Sequence, residues 1–152
     1  MSYKEKSIWV SMLITSYILY YYLTGIYDLS VNNLISDEAQ MSLIRSAIIL
    51  VIILEIISQT IIAIIDHKQA DQKDDERDRN INLIASKNAY VVLIVGIVSA
   101  IFHAQILEFT SINIGFSGLS NGFNLLNIII GSFLAAEIIK YISQLYYYRR
   151  GF

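Results

Sequence analysis

The chain has 152 residues, 55% of them hydrophobic and 16% charged, with 11 Lys and Arg against 13 Asp and Glu and neither cysteine nor proline. Soluble domains carry about 25% charged residues, disordered chains are far less apolar, and nucleic-acid binders show a clustered basic excess. None of these classes fits, so no nucleic-acid partner is expected. Without cysteine, disulfides, thiolate metal sites and thiol redox chemistry are excluded. What remains is an all-α membrane protein whose first partner is the lipid bilayer.

Four apolar runs cover roughly 7–27, 44–65, 89–107 and 123–146. Each is about 20 residues long, enough at 1.5 Å per residue to cross a hydrocarbon core of about 30 Å. In lipid each segment must satisfy its own backbone, which makes the runs helices. The expectation is a single transmembrane domain over 1–152, an integral membrane four-helix bundle.

The first run follows Lys4 and Lys6 and superficially resembles a signal peptide. It is too long for a signal core and lacks a small-residue cleavage site after it, so it reads as a retained span. Tyr3 and Trp9 fall near one membrane interface and Tyr27 near the other. Tyr20, Tyr21 and Tyr22 lie deeper, where packing with each hydroxyl partnered is a simpler role than a ligand-facing patch. Residues 28–43 are expected to connect the first two spans.

The second run carries Glu55 about midway. At helical spacing, Ala47, Val51, Glu55, Gln59 and Ala63 share one small and polar face. A bare carboxylate at that depth costs about 3 kcal/mol on insertion scales. It must be neutralised, hydrogen-bonded or turned into the bundle, and no cation stands nearby in the sequence.

The next connection mixes Asp66, Asp71, Asp74, Asp75, Glu76 and Asp78 with Lys68, Lys73, Arg77 and Arg79. Asp75 and Arg79 are spaced i,i+4 with the acid first, as helix pairs prefer. Ile81, Ile84 and Ala85 continue at helical spacing, so the third helix is expected from about 85 with a solvated, salt-bridged start before it. The alternative use of the six acids is to bind a cation or a basic partner, and Asp75, Glu76, Arg77, Asp78 and Arg79 are the candidate partner-binding residues.

On the third run Gly96, Ala100 and Ala104 form a stripe of small residues. On the fourth, Gly131 with Ala135 and Ser132 with Ala136 give matching pairs, which let helices approach closely in lipid. They would serve the bundle itself or a homo-oligomer. His67 and His103 fall near opposite faces of the membrane and cannot share a metal or a haem, so no cofactor and no metal are expected. Gly118 and Gly122 have dimer-motif spacing but sit in a glycine-rich turn.

The fourth run carries Glu137, from which Lys140, Tyr141 and Gln144 extend a polar stripe. Lys140, one turn away, is placed to pair with Glu137. A shift of 82 residues lays Glu55-Ile56-Ile57 over Glu137-Ile138-Ile139 and hints at a duplicated helix pair.

With four spans, ten of the 11 basic residues fall on one side, leaving only Arg45 opposite. By the positive-inside rule both termini and the 66–88 connection are cytoplasmic.

Asp75-Glu76-Arg77-Asp78, Ile81, Ala89-Tyr90 opening a span, and the terminal Tyr147-Tyr148-Arg149-Arg150-Gly151 resemble a group of small bacterial four-helix membrane proteins known only as a domain of unknown function. That resemblance implies a multi-pass protein of the bacterial cytoplasmic (inner) membrane. It implies no activity and no functional residue.

There is no nucleophile–base arrangement, phosphate loop or metal cluster, so no catalytic residue is expected and the chain does not read as an enzyme. The expected functional feature is an intramembrane polar site of Glu55, Gln59, Glu137, Lys140, Tyr141 and Gln144, serving proton- or cation-linked transport or conduction of a small solute or ion. The alternative is a regulatory or accessory membrane protein that binds partners through Asp75–Arg79. The orientation has a direct test. Ser36→Cys and Gly118→Cys should react with impermeant thiol reagent added to intact cells, and Gln72→Cys and Gly151→Cys should not. The reverse labelling would overturn the cytoplasmic assignment.

Overall fold

The computed structural model describes residues 3–32, 34–65, 75–110 and 121–150. They form four helices: α1 (Tyr3–Val31), α2 (Asp37–Ile65), α3 (Glu76–Thr110) and α4 (Asn121–Arg150). Each exceeds the apolar run that announced it, because polar residues cap the ends.

At the end of α1, the Asn32 backbone N–H and side-chain amide both donate to the Asp28 carbonyl, at 3.1 and 2.9 Å. Ser36 then caps α2, its Oγ accepting from the Ala39 N–H at 3.1 Å, and Asp37 and Glu38 occupy the positive first turn. The 28–43 connection shrinks accordingly to a few residues. Asp75 caps α3 in a reciprocal box. The Asp78 N–H donates to Asp75 Oδ1 at 2.7 Å, and the Asp75 N–H to Asp78 Oδ2 at 3.4 Å. The acidic stretch thus starts α3 well before residue 85.

Helix α1 packs on both α2 and α4, and α4 packs on α3. Side-chain partners give the directions. Ser11 meets Glu55, Tyr22 meets Asn127 and Gln144 meets Asn82, so successive helices run antiparallel. The starts of α1 and α3 and the ends of α2 and α4 share one end of the bundle. Arg45 stands toward the opposite end, and Lys68 and Lys73 lie outside the described residues. The other basic residues all lie in the shared half, called here the basic end.

Helices α2, α3 as far as Ile106, and α4 are long and apolar enough to cross a membrane. Helix α1, expected to be a fourth such span, is not among them, although it has 29 residues. Its Ser7, Ser11, Thr15, Ser16, Thr24 and tyrosines make it too polar by composition. The fold turns part of that polarity inward. Ser11, Thr15, Ile18, Tyr22 and Ile26 form its buried face, with the polar residues in the half nearer the basic end. Helix α2 does the opposite. Ile48, Ile49, Ile52, Ile53, Ile56 and Ile57 are all exposed, and its described buried residues are Gln40 and Ala47. Soluble monomers rarely expose contiguous apolar patches beyond a few hundred Å², whereas a bilayer-facing helix must do so.

The small residues are used unequally. A Cβ on Gly96 would fall 2.0 Å from Ser132 Oγ and 2.2 Å from its Cβ, so α3 and α4 meet closely there, while one on Gly131 would meet nothing within 4 Å. Ala100 and Ala136 are also buried. Gly96→Ala should therefore destabilise the bundle by about 1–3 kcal/mol through overpacking, Ser132→Gly should restore much of the loss, and Gly131→Ala should be harmless. Thermal unfolding in detergent reads all three. Equal effects at Gly96 and Gly131 would refute the close crossing.

Candidate polar seam between the helices

Glu55 does not face hydrocarbon alone. Ser11 of α1 donates to its Oε2 at 3.0 Å. Gln59, one turn along α2, donates through Nε2 to Ser11 Oγ at 2.9 Å and more weakly to Glu55 Oε2 at 3.4 Å. Its Oε1 accepts from Ser7 Oγ at 2.7 Å. These bonds fix the orientation of the amide and give Glu55 only neutral donors.

Tyr141 of α4 joins the second acid to this group. The Glu137 and Glu55 carboxylates are both within electrostatic range of its hydroxyl, and Ser11 is its neighbour on α1. Lys140 donates to Glu137 Oε2 at 3.3 Å and its ammonium lies 5.7 Å from the Tyr141 ring centroid. Of the six residues expected at the site, Glu55, Gln59, Tyr141, Glu137 and Lys140 therefore form one seam across α1, α2 and α4. Gln144 does not join it. It is buried against α3, donating to Asn82 Oδ1.

The serines of α1 were not among the expected site residues. Their signal was the i,i+4,i+8 series Ser7, Ser11, Thr15 in a helix otherwise rich in aromatics. Tyr22 was expected only to find a partner, and it donates to Asn127 Oδ1 at 2.6 Å. Next to this pair, on the side of the acids, an apolar groove of about 370 Å³ is lined by Ile18, Ala47, Val51 and Leu134 and opens outward past the exposed Ile48, Ile129 and Phe133. Val51 is one helical turn from Glu55, so the groove adjoins the seam.

At the basic end the candidate partner-binding residues are largely engaged within the chain. Asp78 accepts from Lys4 and, at 2.7 Å, from the Tyr148 hydroxyl, joining the starts of α1 and α3 to the end of α4. Arg77 donates to the Tyr148 carbonyl at 3.2 Å. Asp75, Glu76, Arg77 and Arg79 are nonetheless exposed. Among the described residues, no three His, Cys, Asp or Glu side chains come together as a metal site.

No family model matches the chain, and no curated protein or solved structure is similar to it.

Burial opposes ionisation of Asp78, but hydrogen bonds from Lys4 and Tyr148, the Lys4 charge and the Asp75 N–H outweigh it and hold its pKa below the ordinary 3.8. A carboxyl lowered in the folded state contributes stability that is complete above the unfolded value and disappears as pH falls through the folded one. Melting in detergent should thus show a loss of stability as pH drops below about 3.8 that is smaller in Asp78→Asn. That variant should cost about 1.5–3 kcal/mol at pH 7. An unchanged pH slope in Asp78→Asn would remove this residue from the joint.

Proposed function

We propose that the protein is a four-span bundle of the bacterial cytoplasmic membrane, with α1 as the fourth span and both termini inside, and that it moves protons or small cations through the Glu55–Glu137 seam. The kinship with small bacterial four-helix membrane proteins is part of this proposal. The observation that carries it is that Glu55, bonded to Ser11, and Glu137, from helices far apart in sequence, both stand within electrostatic range of the Tyr141 hydroxyl. Ionisable residues at such depth are expensive and are retained for ion or proton pathways more often than for stability.

Hydroxyls and carboxyls can pass a proton by donating one and accepting another, whereas an amide cannot readily do so. The route proposed runs from Glu55 through Ser11 and Tyr141 to Glu137, and on toward Lys140 and the basic end. Ser7 and Gln59 brace it. Engagement of Asp75, Arg77 and Asp78 within the chain favours this reading over partner binding by that segment.

The test is proton flux into vesicles carrying the purified protein and a pH-sensitive dye under an imposed gradient. Wild type should exceed protein-free vesicles, and Glu55→Gln and Tyr141→Phe should each fall to their level while keeping their helicity. Asp78→Asn should conduct normally. Wild-type flux no greater than that of empty vesicles, or undiminished flux in both seam variants, would overturn the proposal.

A further inference from the structure

A second feature lies at the basic end, apart from the acid seam. A groove of about 470 Å³ opens there, lined by Trp9 and Met12 from α1 and by Ile142, Leu145, Tyr146, Arg149 and Arg150 from α4. Its floor is apolar and no acidic residue lines it. The Arg149 guanidinium stacks 5.5 Å from the Trp9 ring centroid. That of Arg150 stacks 5.7 Å from the Tyr146 ring centroid and donates to its hydroxyl. Both arginines are exposed, and among the described residues neither pairs with a carboxylate.

We propose that this groove binds one anionic phospholipid, its phosphate held between Arg149 and Arg150 and the upper part of an acyl chain lying along Met12, Ile142 and Leu145. Stacking occupies the face of a guanidinium and orients it, leaving the N–H groups of Arg149, and those of Arg150 not spent on Tyr146, for contact with phosphate oxygens. Trp9 and Tyr146 belong to the class of rings that settle at the headgroup level. Without an acid on the rim, the ammonium group of a zwitterionic lipid finds no partner. A lipid with a net negative head meets two cations and nothing repulsive. The inference rests on the membrane reading and on the basic end lying at a leaflet surface. It does not depend on whether the seam conducts.

Trp9 is the sole tryptophan, so its fluorescence reports the groove directly. The purified full chain in non-ionic detergent would be titrated with phosphatidylglycerol brominated on its acyl chain and, separately, with equally brominated phosphatidylcholine. The anionic lipid should reach half-quenching at about a tenfold lower mole fraction, given the usual attraction per basic residue near an anionic head. In Arg149→Gln/Arg150→Gln the two curves should coincide while circular dichroism shows unchanged helix. Coincident curves in wild type, or a preference that survives in the double variant, would overturn the lipid site and leave the seam untouched. A chain that stays monodisperse in water without detergent would overturn the membrane reading and this inference together.

Discussion

A helix lined with serine, threonine and tyrosine can pack among apolar helices only if its buried hydroxyls find partners in protein, and α1 carries most of that burden. Its Ser16 and Thr24 side chains return to their own backbone, donating to the carbonyls of Met12 and of Tyr20 and Tyr21. Ser7, Ser11 and Tyr22 have no such local solution and reach Gln59, Glu55 and Asn127 on neighbouring helices. Placing α1 against both α2 and α4 follows from that need. The more apolar α2 can then present its isoleucines outward, because lipid asks nothing of them.

The same bonds arrange the interior in layers along the bundle axis. Asp78, Lys4 and Tyr148 tie three helix ends at the basic end. The acid seam follows, then the apolar groove, then Tyr22 with Asn127. Helices in lipid gain little from the hydrophobic effect against one another, so these polar layers add to the packing of Ile18, Tyr22 and Ile26 against Ala47 and Leu134 in holding α1 to its neighbours. Between α3 and α4 the Gly96–Ser132 contact brings backbones together directly.

The four helices were legible from apolar runs alone, because bilayer thickness imposes a length that composition reveals. Their true ends were not, since capping by Ser36 and Asp75 depends on local hydrogen bonds that extend a helix past its apolar stretch. Glu55 and Glu137 stood out because charge is rare at such depth. Ser11 did not, because serine is tolerated anywhere in a span and only its position opposite Glu55 makes it matter. Gln144 misled for the complementary reason. A stripe read along one helix follows i,i+4 spacing, but Gln144 spends its amide on Asn82 of α3 while Lys140 bonds Glu137 on its own helix.

Donor and acceptor arithmetic shows why Ser7 and Gln59 belong with the acids they flank. A serine hydroxyl has one proton to donate and two lone pairs to offer. At Ser11 the proton goes to Glu55 and one lone pair receives the Gln59 amide, which leaves one lone pair for the side where Tyr141 stands. Tyr141 has a single proton to give and stands near both Ser11 and Glu137. Passing a proton along the proposed route in the sense from Glu137 to Glu55 starts with the Ser11 proton pointing at Glu55 and reverses both hydroxyls, and the next passage requires them to turn back. Gln59 supplies that bias, because its N–H donates into Ser11 and favours the Ser11 proton pointing at Glu55. Its own orientation would be ambiguous without Ser7 donating to its carbonyl oxygen. A serine remote from either carboxylate thereby sets the direction of the hydrogen bond that one of them receives.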